Sequence, residues 1–189
     1  MGGRLPITDI LGRISGDEAL RILRNLCAEG AEMRKQILAE VEKMLSEVDR
    51  EGVSDEVLFD LDTLSVDELW DRSGPKRHGY TSPDEIAVEM IEEILKPHED
   101  RIKKYYGLGM PEQAKECCMG VLKGIYQVGQ ELQSEFKEQA PDVPGDCFGG
   151  ILDEWRRRCT RKHDIQDMNE FIARECPKWA KWATKNRTT

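Results

Sequence analysis

Apolar positions along this chain recur at helical spacing. Ala19, Leu20, Ile22, Leu23, Leu26 and Cys27 make one broad apolar face behind Ser15-Gly16-Asp17-Glu18, a start signal in which Ser15 and Glu18 can cap each other. A short lead-in helix over residues 7–14 precedes it, and Gly30 stops it. A longer helix is predicted over residues 31–50, with Met33, Ile37, Leu38, Val41, Met44, Leu45 and Val48 on one side. The pair reads as a helical hairpin. Gly52 marks its stop, and Ser54 is placed to cap a helix running to Leu64.

Residues 65–108 carry the densest punctuation. Ser65 with Glu68 predicts a capping box for a short helix ending near Trp70, whose ring is expected in the core. Ser82-Pro83-Asp84-Glu85 supplies three start signals at once: a cap, a proline at the first helical position and a reciprocal Glu. Ile86, Ala87, Met90, Ile91, Ile94 and Leu95 then share one face, and Glu89, Glu92 and Glu93 the other. Pro97 is expected to end or kink this helix, because proline lacks a donor and restricts the residue before it. A separate helical piece follows, up to Gly107-Leu108-Gly109.

The longest element is predicted from Pro111 to about residue 139, with Ala114, Cys117, Cys118, Val121, Leu122, Ile125, Tyr126, Leu132 and Phe136 in helical period. Gly120, Gly124 and Gly129 lie inside it, each costing about 1 kcal/mol relative to alanine. Gly120 and Gly124 share a face, which predicts close approach of another helix. The Pro141-Asp142-Val143-Pro144-Gly145 break suggests a helical body over residues 1–140 and a basic helical subdomain over 141–189 packed on it, or one domain throughout. Beyond the break, a helix is predicted through Ile151, Leu152 and Trp155. A last one, capped by Asp164, runs through Phe171, Trp179 and Trp182 and is interrupted or kinked by Pro177. Strand-like alternation and hairpin dipeptides are absent. The fold class is therefore all-α: a multi-helix bundle or a short array of antiparallel helices in the manner of TPR or HEAT repeats, though no fixed internal period emerges.

Composition narrows the function. The chain has 189 residues, 39% hydrophobic and 34% charged, with net charge -9 and mean hydropathy -0.61. It contains no run long enough to span a bilayer. The N-terminus shows no signal-peptide pattern, and Pro6 stands where a myristoylation signal needs Ser or Thr, so a cytoplasmic protein with no membrane partner is expected. Residues 1–100 carry 12 basic against 24 acidic side chains, whereas from Trp155 onward there are 10 against 4. An acidic body disfavours nucleic acid except at the tail.

The most distinctive surface candidate is the loop at residues 71–80. Arg72, Lys76, Arg77 and His78, bracketed by Trp70 and Tyr80, could receive a carboxylate or phosphate of a protein or peptide. The competing reading has Trp70 and Tyr80 anchoring the loop, Arg72 paired with a carboxylate, and Lys76 and Arg77 merely solvated. In the tail, Arg156, Arg157, Arg158, Arg161 and Lys162 form a basic knot, and Lys178, Trp179, Lys181 and Trp182 interleave charge with aromatics. That end suits a nucleic-acid backbone or an anionic membrane surface, or else a closing helix that docks Trp179 and Trp182 on the acidic body.

Cys147, Cys159, His163 and Cys176 follow the spacing C-x11-C-x3-H-x12-C. These are proper zinc ligand types, but no C-x2-C knuckle accompanies them. Buried, reduced cysteines are the plainer reading, and neither metal nor cofactor is expected. No catalytic residues are assigned: the three histidines are scattered, and nucleophile elbows and phosphate-binding glycine loops are missing.

Leu69-Trp70, Gly79-Tyr80, the Pro83-led helix with Glu92-Glu93, and Gly120 to Tyr126 carry a resemblance. Through them, residues 62–127 look like part of an uncharacterised group of prokaryotic all-helical proteins, some of which bear such a region alongside a SWIM-type zinc finger. The SWIM pattern, C-x-C followed by C-x-H, is absent, so the resemblance implies neither zinc nor DNA binding and supplies no activity. The expected function is a non-catalytic protein-interaction or scaffold module, homo-oligomeric or bound to another protein. The alternative is a nucleic-acid accessory protein working through its basic C-terminal end.

Overall fold

The computed structural model describes residues 6–76, 79–131 and 141–184. The chain divides into two compact units, Met1–Glu47 and Val48–Thr189; the Pro141 break lies within the second. Among the described residues the protein is all-α apart from one two-stranded hairpin.

The first unit holds α1 (Ile7–Leu11), α2 (Gly16–Glu29) and α3 (Ala31–Ser46). The Ser15 box is complete: Glu18 N–H donates to Ser15 Oγ at 3.3 Å, and Ser15 N–H donates to Glu18 Oε2 at 2.8 Å. Gly30 alone joins α2 to α3, and the two helices contact each other as a hairpin. No described residue of this unit is buried.

The second unit holds α4 (Arg50–Asp62), α5 (Val66–Arg72), β1 (Gly74–Lys76), β2 (Gly79–Thr81), α6 (Pro83–Gly107) and α7 (Pro111–Glu131). It is completed by α8 (Val143–Arg158), α9 (Lys162–Glu175) and α10 (Pro177–Ala183). The predicted stop near Arg50 is displaced: α3 ends at Ser46, and Asp49 accepts from Glu51 N–H to open α4. Gly52 and Ser54 therefore lie inside a helix. Ser54 is buried and donates to Gln127 Oε1 at 2.9 Å rather than capping.

Helix α7 is the spine of this unit, contacting α4, α6, α8 and α9. Its buried positions Ala114, Cys117, Cys118, Met119, Val121, Leu122, Ile125, Tyr126 and Val128 wrap more than half the helix circumference at ~100° per residue, the pattern of a helix packed on several sides. Gly120 and Gly124 are its contact with α4. A Cβ at Gly120 would come within 2.7 Å of the Arg50 carbonyl and of Val53 Cβ, and one at Gly124 equally close to the Ser54 carbonyl and Val57 Cβ. The predicted close approach is present. Leu132 and Phe136 fall outside the described residues.

Pro97 does not end the helix; α6 runs unbroken through it. Proline removes one backbone donor, but Met90, Ile91 and Leu95 on one side and His98, Ile102 and Tyr105 on the other are all buried. Packing on both flanks holds the helix together across the gap. Pro177 does interrupt, with Cys176 at φ -124° and ψ 52° separating α9 from α10. Asp164 does not cap: α9 starts at Lys162, and the Asp164 carboxylate turns to Lys115 and Arg161 instead.

Candidate recognition surface

The residues singled out around the 71–80 loop meet different fates. On α5, Leu69 is fully buried and Trp70 is 53% exposed. One step along a helix is a rotation of ~100°; α5 turns Leu69 to the core and carries Trp70 round toward solvent, so the expectation of a buried Trp70 is corrected. Ser65 accepts from Glu68 N–H at 3.4 Å, but the Glu68 side chain turns to Arg72, 3.6 Å away, leaving half the predicted box. Ser73 closes the helix, its Oγ donating to the Leu69 carbonyl at 2.6 Å.

Beyond α5 the chain forms a hairpin unforeseen from the sequence. Gly74 pairs with Thr81, Pro75 with Tyr80, and Lys76 with Gly79. With three residues per strand it is too short for alternation to show. Its signal is the pair of glycines: Gly74 and Gly79 adopt φ +100° and +146°, a region closed to ordinary side chains. Tyr80 is 68% exposed. Arg77 and His78 lie outside the described residues, as does the Lys76 side chain.

Arg72 braces this unit to α6. Its Nη1 donates to Glu93 Oε2 at 2.9 Å and its Nη2 to Glu93 Oε1 at 3.0 Å, a bidentate fork. Glu89 stands 3.6 Å away. The hydrogen bond from Arg72 holds the Glu93 carboxyl below the usual carboxylate range. Three carboxylates thus surround one guanidinium, which serves the fold. Trp70 and Tyr80 stand exposed on α5 and β2, with α5 tied to α6 through Arg72.

The second constellation is a buried ion network between α7 and α9. Lys115 Nζ reaches Glu112 at 2.6 Å, Asp167 at 2.9 Å and Asp164 at 3.1 Å, with Lys115 and Asp164 both buried. Burial pulls the Lys115 pKa down, but the hydrogen bonds its ammonium donates to Glu112, Asp167 and Asp164 outweigh this and raise it. Glu112, His163 and Asp164 are the described acidic and imidazole groups that converge closely enough for a metal. The Asp164 oxygens already accept from Lys115 and Arg161, so a cation there would face two resident cations. This is an ion-pair network.

Cys147, Cys159, His163 and Cys176 do not converge as a ligand set. Cys159 terminates α8 and His163 belongs to α9, so no helix spans the pair. Burial pushes the thiols up, to about 11 for Cys117 and Cys147 and about 12 for Cys176. Neutral buried thiols are poor nucleophiles and poor ligands.

The arginines of the tail's basic knot are engaged by neighbouring side chains, with Arg157 and Arg158 still exposed. Arg157 and Arg158 pair with Glu154, Arg161 pairs with Glu112 and Asp164, and Arg156 donates to Asn169 Oδ1 at 3.0 Å. The Trp179 ring meets Tyr126 and Phe148 edge-on at 5.2 and 5.1 Å, and Trp182 lies 5.7 Å from Phe148. The same ring lies over Gly129, where a Cβ would come within 2.8 Å of it. Among the described residues, no helix is long and apolar enough to cross a membrane.

Comparison with family models, with curated proteins and with solved structures finds no match.

Proposed function

We propose that the protein is a non-catalytic interaction module, cytoplasmic, which binds another protein or peptide through the α5–hairpin surface. The carrying observation is the pair Trp70 and Tyr80, 53% and 68% exposed on a unit clamped by the Arg72–Glu93 fork. Tryptophan and tyrosine dominate interface hot spots because they offer large contact area at low entropic cost, and a braced platform lowers that cost further. Six free cysteines suit a reducing compartment. The nucleic-acid reading is weakened by the number of tail arginines engaged with the chain's own carboxylates.

Affinity capture from native cell extract, with and without nuclease, tests this. Trp70→Ala with Tyr80→Ala should abolish recovery of a nuclease-resistant partner while shifting stability by only about 1 kcal/mol, as exposed positions do. Unchanged recovery by the double variant would overturn the assignment of this surface. Recovery that vanishes with nuclease would favour the tail and nucleic acid.

A further inference from the structure

Within its own unit, the hairpin α2–α3 has an apolar face that no further layer covers. Leu20, Ile22, Leu23, Leu38, Val41 and Met44 are between 39% and 78% exposed. Helices of 14 and 16 residues are marginal alone in water. A two-helix layer also needs another layer to bury its apolar stripe.

Charge indicates what that layer is. Residues 1–47 carry 7 basic and 8 acidic side chains, whereas residues 48–189 carry 21 and 29. A nearly neutral hairpin on an acidic chain suits homotypic packing, free of the repulsion the rest of the surface would bring. The charges are also graded along it. The turn half holds Arg24, Arg34 and Lys35 against Glu29 and Glu32, while the open half holds Asp17, Glu18, Glu40 and Glu42 against Arg21 and Lys43. A two-fold axis across the helices sets the basic-leaning half of one copy on the acidic half of the other, in both directions at once. Parallel stacking would instead oppose like with like. The area fits too: two half-cylinders ~24 Å long and ~10 Å in diameter present roughly 750 Å² per copy, close to the ~800 Å² per partner of a standard interface.

We infer that α2–α3 is a self-association element: two copies of the chain pack these hairpins face to face and antiparallel, making a four-helix bundle. The inference is independent of the Trp70–Tyr80 surface, which lies on the other unit.

Sedimentation equilibrium of the full chain over a concentration series tests it. The wild-type chain should sediment at twice its 21.7 kDa mass at micromolar concentration. Leu23→Glu with Val41→Glu should raise the dimer Kd at least 100-fold while leaving the thermal transition of the second unit in place. Arg24→Glu with Lys35→Glu, and separately Glu40→Lys with Glu42→Lys, should each raise Kd about tenfold, and mixing the two variants should restore the dimer. A wild-type chain that stays at its single mass to several hundred micromolar would overturn the inference, showing that something other than a second copy covers the face. So would a Leu23→Glu/Val41→Glu variant that dimerises as wild type. A mixture that fails to restore the dimer would overturn the antiparallel arrangement.

Discussion

At Leu69 the side chain is fully buried, and Leu69→Ala should destabilise by about 2–5 kcal/mol in urea unfolding. Its neighbour Trp70→Ala should stay within about 1 kcal/mol. The reversal is one of direction rather than hydrophobicity, which is why the sequence alone favours the larger ring for the core. Lys115→Met is a sharper case. It leaves the buried Asp164 with Arg161 and the His163 ring as its remaining close partners, and should destabilise by about 3 kcal/mol, the low end for a broken buried pair. Lys115 and Asp164 are 49 residues apart, and nothing in local spacing reports such a partner. The candidate site was accordingly legible only as residue types. That Arg72 faces Glu93, while Trp70 and Tyr80 face water, depends on how α5 lies against α6.

Among elements, the starts marked by a complete capping box and the stops at Gly30 and Gly107 are readable, whereas the starts assigned to Ser54 and Asp164 are not. Ser15 and Ser82 cap as their neighbours imply, since a capping box is complete within four residues. The stop expected at Pro97 fails because burial on both flanks overrides local preference, and the α3–α4 junction shifts because Asp49, rather than Ser54, caps α4. Pro97→Ala should consequently raise stability by about 1–3 kcal/mol, by restoring the backbone bond to the Glu93 carbonyl; a drop in the urea midpoint would show that the proline shapes α6. The Gly120 and Gly124 face was legible because glycine within a long apolar helix needs a packing reason. Gly124→Ala should destabilise by about 1–3 kcal/mol, because the Ser54 carbonyl it meets is backbone and cannot swing aside.

For the whole molecule, pH should define a plateau. Glu112 and Glu93 are held low by Lys115 and Arg72, so their contribution is present above the unfolded value of ~4.3 and is lost as pH falls through the folded values. The thiols of the buried Cys117, Cys118 and Cys176 and of the half-buried Cys147 are raised. Their contribution is complete below ~8.5 and is lost as pH climbs toward the folded values, before lysines with an unfolded pKa of ~10.4 begin to matter. Urea unfolding across pH 3–11 checks both edges, and a flat alkaline limb would mean the thiols are hydrated. The contact between α4 and α7 also has a consequence in time. Val57 and Gly124 touch, yet a ribosome adding ~5–20 residues per second takes roughly 3–13 s to travel from one to the other. Through that interval α4 and α6 emerge with their apolar sides uncovered, in the window when nascent chains recruit chaperones. A chain halted after Gly109 should show no cooperative melting, because the spine on which those helices close has yet to be made.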